Sequence, residues 1–300
     1  FIKIGIDNMF RKNSISSVIM LILAAVVWGG SFVVVKDSLN YVTPMWQLVL
    51  RLAVASAAGV VVFLTQLQHI CKKYIGQGVI LGILFALALI FQNFGADLST
   101  ASKCAFLTVS YVAFIPIIGV VFLKKHLTIK KILTVVVCMT GVGCITLNEK
   151  LSMDIGDLLL LATGFCYALH ILWIDHCSES DGVIVIHIIQ IWTALIIALC
   201  MAMIAEPFCI SYEKSFVMSM MYCGIFEVLL GFFLQFKGQQ KTSPSLAGII
   251  LSSECVFAGL FGFIFQGDKF SLKMMIGCAL IFASAVIESL KAERNDQYGS

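Results

Sequence analysis

Charge is what this sequence has least of. Only 12% of its residues are Asp, Glu, Lys or Arg while 60% are hydrophobic, against roughly a quarter charged in ordinary soluble domains. A soluble domain of 300 residues cannot hide that much apolar surface, so the scarcity excludes one and points to a chain that meets lipid on most of its outer face. The net charge of +3 is too small to speak for a partner, but the basic residues are scattered between apolar runs and form no stripe, so no nucleic-acid partner is expected. No Cys-x-x-Cys pair occurs among the eleven cysteines. Most of them, such as Cys104, Cys138, Cys144, Cys166, Cys200 and Cys278, sit inside apolar runs, where Cys behaves as a small hydrophobe. That excludes a disulfide or zinc framework. Gly-x-Ser-x-Gly and His-Glu-x-x-His are missing, which argues against an intramembrane enzyme. The apolar runs lack period-2 alternation, which excludes strands.

What is present is apolar sequence in ten blocks, each of about the 20 residues a bilayer-crossing helix needs. They fall at 15–36, 44–65, 75–93, 100–122, 129–147, 155–175, 183–204, 215–236, 243–265 and 271–290. Residues 1–13 carry Lys3, Arg11 and Lys12 ahead of the first block. That resembles the start of a signal peptide, but the block is long and ends without a small-residue cleavage site, so the expectation is a retained helix. Basic residues concentrate in cytoplasmic loops of membrane proteins. With the N-terminus in the cytoplasm, thirteen of the twenty Lys and Arg residues lie inside, six outside, and Arg51 within a span. Both termini are then cytoplasmic.

The chain is also built twice. Residues 92–135 align with 235–278 at a constant offset of 143 without a gap: Gln92 meets Gln235, Ser102 meets Ser245, Ser110 meets Ser253, Phe114 meets Phe257 and Lys130 meets Lys273. Ten helices in two copies give five each, and an odd number turns the second copy over. The expected fold is therefore all-α, with ten transmembrane helices as two inverted five-helix repeats, 15–147 and 155–290. That architecture suits a secondary transporter working by alternating access, with its substrate site between the halves near mid-membrane.

Ionisable groups inside a span are expensive and usually face an interior, a cavity or a partner. Glu254 lies mid-span, and its mate across the repeat is Tyr111, so both should approach the axis relating the halves. A carboxylate in a poorly solvated site suits proton coupling or the binding of a cationic substrate group. Glu227 is also mid-span and could pair with Arg51. Arg51 itself could hold a substrate carboxylate or phosphate, snorkel to the outer face, or form a fixed ion pair that holds the bundle. At an offset of 139 it aligns with Gln190, Trp28 aligns with Tyr167, and Ser31 with His170. Trp28, Ser31, Tyr111, Tyr167 and Gln190 join the candidate cavity lining, the aromatic rings as stacking surfaces for a planar or cationic substrate. His170 and His187 lie near the cytoplasmic ends of neighbouring spans, where they could meet as an inner gate or serve as polar caps. No third ligand at suitable spacing accompanies them, so no metal is expected, and nothing points to a cofactor.

The order of several motifs carries a resemblance. Trp28-Gly29-Gly30-Ser31-Phe32 with Lys36, Pro44 and Arg51, then Thr100 to Thr108 with Tyr111 and Pro116, then Gly156-Asp157, Ala168-Leu169-His170-Ile171, Gln190 and Ser253-Glu254-Cys255-Val256-Phe257-Ala258, together resemble the EamA-type permeases of the drug/metabolite transporter superfamily across about residues 15–290. Departures are Cys255 where the family often has Pro, and Lys124-Lys125 and Gly267-Asp268 where a Gly-Glu pair is common. The resemblance implies a prokaryotic plasma-membrane exporter of an amino-acid-like, nucleoside-like or amine metabolite, driven by a coupling proton or a counter-solute. Alternatives are a nucleotide-sugar or sugar-phosphate exchanger, and an uncoupled facilitator. The bilayer and the small-molecule substrate are the expected partners, with a homodimer left open.

Overall fold

The structure, a computed structural model, describes residues 15–99, 101–123, 128–146, 154–177, 181–211, 213–261, 264 and 272–298. Lys124-Lys125 and Gly267-Asp268 lie outside these. The described residues are helical almost throughout. In order they form α1 (Ile15–Ser38), α2 (Pro44–Val62), α3 (Lys72–Leu98), α4 (Ala101–Thr108), α5 (Tyr111–Leu123), α6 (Ile129–Thr146), α7 (Ile155–Cys177), α8 (Val183–Ala205), α9 (Lys214–Gln239), α10 (Pro244–Leu251), α11 (Glu254–Phe261) and α12 (Leu272–Tyr298). Among the described residues, eight helical segments are long and apolar enough to cross a membrane, with α4–α5 and α10–α11 each counting as one. The protein is a multi-pass membrane protein. Helices also stand at the two remaining predicted positions: α6, and α12 with its apolar stretch Met275–Ile287.

Polarity is arranged inside out relative to a soluble domain. Ile19, Leu23, Ile83, Leu87, Val136, Ile196, Phe226 and Phe282 are exposed, whereas Arg51, Asn93, His170, His187, Gln190, Gln235 and Glu254 are buried. Lipid rewards the first set, and buried partners must satisfy the second. Since lipid tails are as apolar as leucine, close approach of small residues does much of the packing. A Cβ on Gly29 would lie 2.6 Å from Phe257 Cβ and 2.8 Å from the Glu254 carbonyl, so α1 presses directly on the start of α11. Gly78 and Gly82 likewise bring α3 against α8, at Ile189 and Thr193.

The two copies are visible in the packing. α3 lies against α7, and α9, the counterpart of α3, lies against α1, the counterpart of α7. α1 packs on α11 as α7 packs on α5. α2 meets α8, α6 meets α12, and α5 meets α10. Even the irregularities repeat. The fourth predicted block breaks at residues 109–110, between α4 and α5, and the ninth at 252–253, between α10 and α11. Each break is braced in the same way: Ser110 Oγ donates to the Leu107 carbonyl at 2.6 Å, and Ser253 Oγ donates to the Ile250 carbonyl at 2.6 Å. Each carbonyl also accepts from the N–H of the same serine, Ser110 at 3.2 Å and Ser253 at 3.1 Å, so the hydroxyl adds a second bond where the helix is interrupted.

The copies also differ. The middle of α9, Tyr222–Gly231, winds as a π-helix, whereas the matching part of α3 is regular. Two side chains from other helices donate into this wide segment: Trp28 Nε1 to the Glu227 carbonyl at 3.1 Å and a His187 ring nitrogen to the Leu229 carbonyl at 2.9 Å. Gly231 admits the indole, since a Cβ there would stand 2.5 Å from Trp28 Nε1. At one end of the bundle the α8–α9 loop closes over α2. Glu206 Oε2 accepts from the Met45 N–H at 3.0 Å, which supplies the anion that the positive end of α2 favours. Val42 pairs with Ile210, and Trp46 packs edge-on against Phe208.

Candidate functional site

A small cavity lies where the two copies meet, and thirteen residues line it. Ten of these thirteen fall into five repeat-related pairs: Trp28 with Tyr167, Phe32 with Ile171, Gln92 with Gln235, Thr108 with Leu251, and Tyr111 with Glu254. The cavity therefore straddles the axis that relates the copies. One pair touches across it: Tyr111 Oη donates to Glu254 Oε1 at 3.3 Å, residues 143 apart in sequence. Both follow directly on the breaks described above, each as the first residue of its helix, α5 or α11. The break thus ends an apolar helix and presents a polar side chain at mid-depth, with the positive end of α11 behind the Glu254 carboxylate.

The unpaired lining residues are Ser31, Glu227 and Phe232. Ser31 lines the cavity, but its counterpart His170 does not. Aromatic faces make up much of the wall, with Trp28 and Phe232 at a centroid distance of 4.7 Å and Tyr167 stacked on Phe232 at 6.2 Å. The space left for the centre of a water molecule is only about 30 Å³. That is room for a water or two and for no metabolite.

Arg51 does not line this space. It is fully buried behind it, with Nη1 on Glu227 Oε1 at 2.8 Å and Nη2 on Asn93 Oδ1 at 2.8 Å. Asn93 Nδ2 donates in turn to the Pro44 carbonyl and to Gln47 Oε1, both at 2.8 Å, and Gln47 Nε2 reaches Ser38 Oγ at 3.1 Å. The guanidinium is held at both Nη atoms by the protein's own acceptors. Of the roles open to Arg51 in the sequence, the structure shows the ion pair and, with the side chain fully buried, no snorkelling.

His170, Gln190 and His187 form a second buried chain, also behind the wall. His170 Nε2 meets Gln190 Oε1 at 3.0 Å, and Gln190 Nε2 meets His187 Nδ1 at 2.9 Å. His187 Nε2 meets the Leu229 carbonyl at 2.9 Å. A carbonyl can only accept, so His187 carries its proton on Nε2. With both rings neutral, the direction of every bond follows: His170 donates to Gln190, Gln190 to His187, and His187 to α9. The chain ties α7, α8 and the π segment of α9 together. All three side chains are fully buried.

The sequence singled out Glu254, Tyr111, Glu227, Trp28, Ser31 and Tyr167, and the structure brings all six to the cavity. It places Arg51, Gln190, His170 and His187 behind it. It adds Gln92 and Gln235, whose pairing opens the repeat alignment and could have flagged them. Among the described residues, no cluster of three or more His, Cys, Asp or Glu side chains could hold a metal.

The fold has solved counterparts. One crystal structure superimposes with a TM-score of 0.77 over 93% of this chain and 98% of that one, at 15% identity, which shows a shared architecture. The EamA-like transporter family model matches residues 15–147 and again residues 154–290. The chain belongs to the EamA-like transporter family. A relative from Archaeoglobus fulgidus, described as an uncharacterized transporter, is 28% identical over 277 residues, or 90% of this chain and 85% of the relative. Membership makes the protein a membrane transporter with a small-molecule substrate.

Proposed function

We propose that this EamA-like transporter is a secondary exporter of a small polar metabolite that works by alternating access, with the cavity between its halves as the transport site. The observation that carries this reading is the composition of the cavity wall from five repeat-related pairs. A site on the axis of two like halves can be handed from one side to the other when the halves exchange conformations. In this reading α6 and α12 complete ten crossings, the second copy is inverted, and both termini lie in the cytoplasm of a prokaryotic cell. The present conformation is the closed one, because the cavity has room for a water or two and for no metabolite.

Coupling falls to Glu254. Arg51 and Glu227 neutralise one another, which leaves Glu254 as the carboxylate on the axis without an opposite charge beside it. It exchanges a proton for substrate as the halves move. Arg51, Gln190, His170 and His187 brace the helices that carry the wall. A sugar-phosphate or nucleotide-sugar exchanger would need cations facing the cavity, and its lining contains none.

The test is uptake into proteoliposomes with and without an imposed pH gradient, using amino acids, nucleosides and amines as probes. The wild type accumulates its probe only with the gradient, and Glu254→Gln exchanges it without responding to pH. Full gradient-driven accumulation by Glu254→Gln would sink the assignment. Equal accumulation by the wild type with or without a gradient would favour an uncoupled facilitator.

A further inference from the structure

The chemistry of the wall narrows the substrate. Four donors at the cavity are already engaged within the protein. Ser31 Oγ donates to the Trp28 carbonyl at 2.8 Å, and Trp28 Nε1 donates to the Glu227 carbonyl at 3.1 Å. Tyr111 Oη donates to Glu254 Oε1 at 3.3 Å, and Tyr167 Oη donates to Gln92 Oε1 at 3.4 Å. What remains includes three under-satisfied acceptors, two of them carboxylates. Gln235 Oε1 is buried without a hydrogen-bond partner, and the side chain is 2% exposed. Glu227 Oε2 is buried with only the Cys223 thiol, a weak donor, beside it. Glu254 is 3% exposed and receives one long hydrogen bond from Tyr111. The free donors are the amide groups of Gln92 and Gln235 and the hydroxyl of Thr108, whose Oγ1 is buried in the wall without a partner.

A ligand must satisfy what the wall leaves open. Buried acceptors without donors are costly, and a group with several N–H donors and a positive charge relieves them at once. A carboxylate or phosphate would stand beside two glutamates, with Arg51 outside the lining and its charge already bound to Glu227. The aromatic faces of Trp28, Tyr111, Tyr167 and Phe232 suit a cation too, because a ring presents negative potential to a charge above it. Resting on the cavity being the transport site, the geometry points to a protonated amine carrying an apolar or aromatic body as the substrate class. With the halves parted enough to admit it, its ammonium group sits among Glu254, Gln235 Oε1 and Glu227 Oε2, and its body lies along the rings.

The experiment is calorimetric binding to the purified full chain in lipid nanodiscs, with three probes of one shape: 2-phenylethylamine, 2-phenylethanol and phenylacetate. The amine is expected to bind at least about ten-fold more tightly than the other two, a difference of about 1.4 kcal/mol. Glu254→Gln and Gln235→Met should each weaken the amine about ten-fold, and Glu254→Asp should restore most of the affinity lost in Glu254→Gln. That rescue separates a lost charge from a lost fold. Tighter binding of the acid or the alcohol, weakened by Trp28→Ala, would overturn the amine while leaving the cavity as the transport site. Binding of the amine that ignores Glu254, Gln235 and Trp28 would overturn both readings. Binding of none of the three would overturn the amine assignment, with uptake by proteoliposomes then deciding the transport site separately.

Discussion

Removing Arg51 should damage this protein more than removing Arg51 and Glu227 together. The guanidinium makes two charge-assisted hydrogen bonds of 2.8 Å, to Glu227 Oε1 and Asn93 Oδ1, and is fully buried. Arg51→Met leaves the Glu227 carboxylate, 5% exposed, without its counter-charge. Breaking one side of such a pair costs about 3–5 kcal/mol, and Glu227→Met should cost a similar amount by stranding the guanidinium. In the double variant no charge is stranded, and the chief loss is the donor to Asn93 Oδ1, about 1–3 kcal/mol. The cycle should therefore show a coupling of several kcal/mol between the two positions. Reversible unfolding in mixed detergent micelles, titrated with SDS, measures each of the four proteins. Single effects below about 1 kcal/mol that simply add would refute the ion pair as a structural brace.

Two further perturbations follow from the packing. Gly29→Val pushes a side chain into Phe257 Cβ and the Glu254 carbonyl, at 2.6 and 2.8 Å from the Cβ position, and should cost about 1–3 kcal/mol by overpacking. Gly76→Ala, with nothing within 4 Å of its Cβ position, should be neutral or stabilise α3 by up to about 1 kcal/mol; the same SDS titration compares them. Glu206→Ala removes the acceptor at the start of α2, whose own N-cap Thr43 makes no side-chain cap bond. It should cost about 1 kcal/mol, with Glu206→Gln largely neutral because it keeps an acceptor.

How much of this was legible beforehand depended on whether the information was local. Apolar block lengths placed the helices, since crossing a bilayer imposes a length. The fixed offset between copies was enough to set Tyr111 opposite Glu254, because like elements around an axis bring like positions together. It did not reveal that both residues follow a helix break. Each break lies inside a block long enough to read as one helix, marked only by short polar stretches, with Ser110 and Ser253 hydroxyls whose role depends on neighbouring turns. The π segment of α9 was invisible for a similar reason: its residues are as apolar as those of a regular helix, and the donors that hold it, Trp28 and His187, come from distant parts of the chain. Arg51 shows the sharpest limit. Depth within a span narrows an arginine to a few roles, but the choice between gripping a substrate and gripping Glu227 depends on the facing of two helices, which a sequence pattern in so uniformly apolar a chain does not encode.

The central claim is that one cavity on the axis between the halves opens to each side of the membrane in turn. Leu251, buried on α10 in the cavity wall, is a position at which to test it. A Leu251→Cys substitution in a cysteine-free background can be probed with a membrane-impermeant cationic thiol reagent, in vesicles of both orientations. The account predicts labelling from either face, each slowed by bound substrate, with a pH gradient speeding one face and slowing the other. Labelling from one face alone under every gradient, or unaffected by substrate, would contradict it.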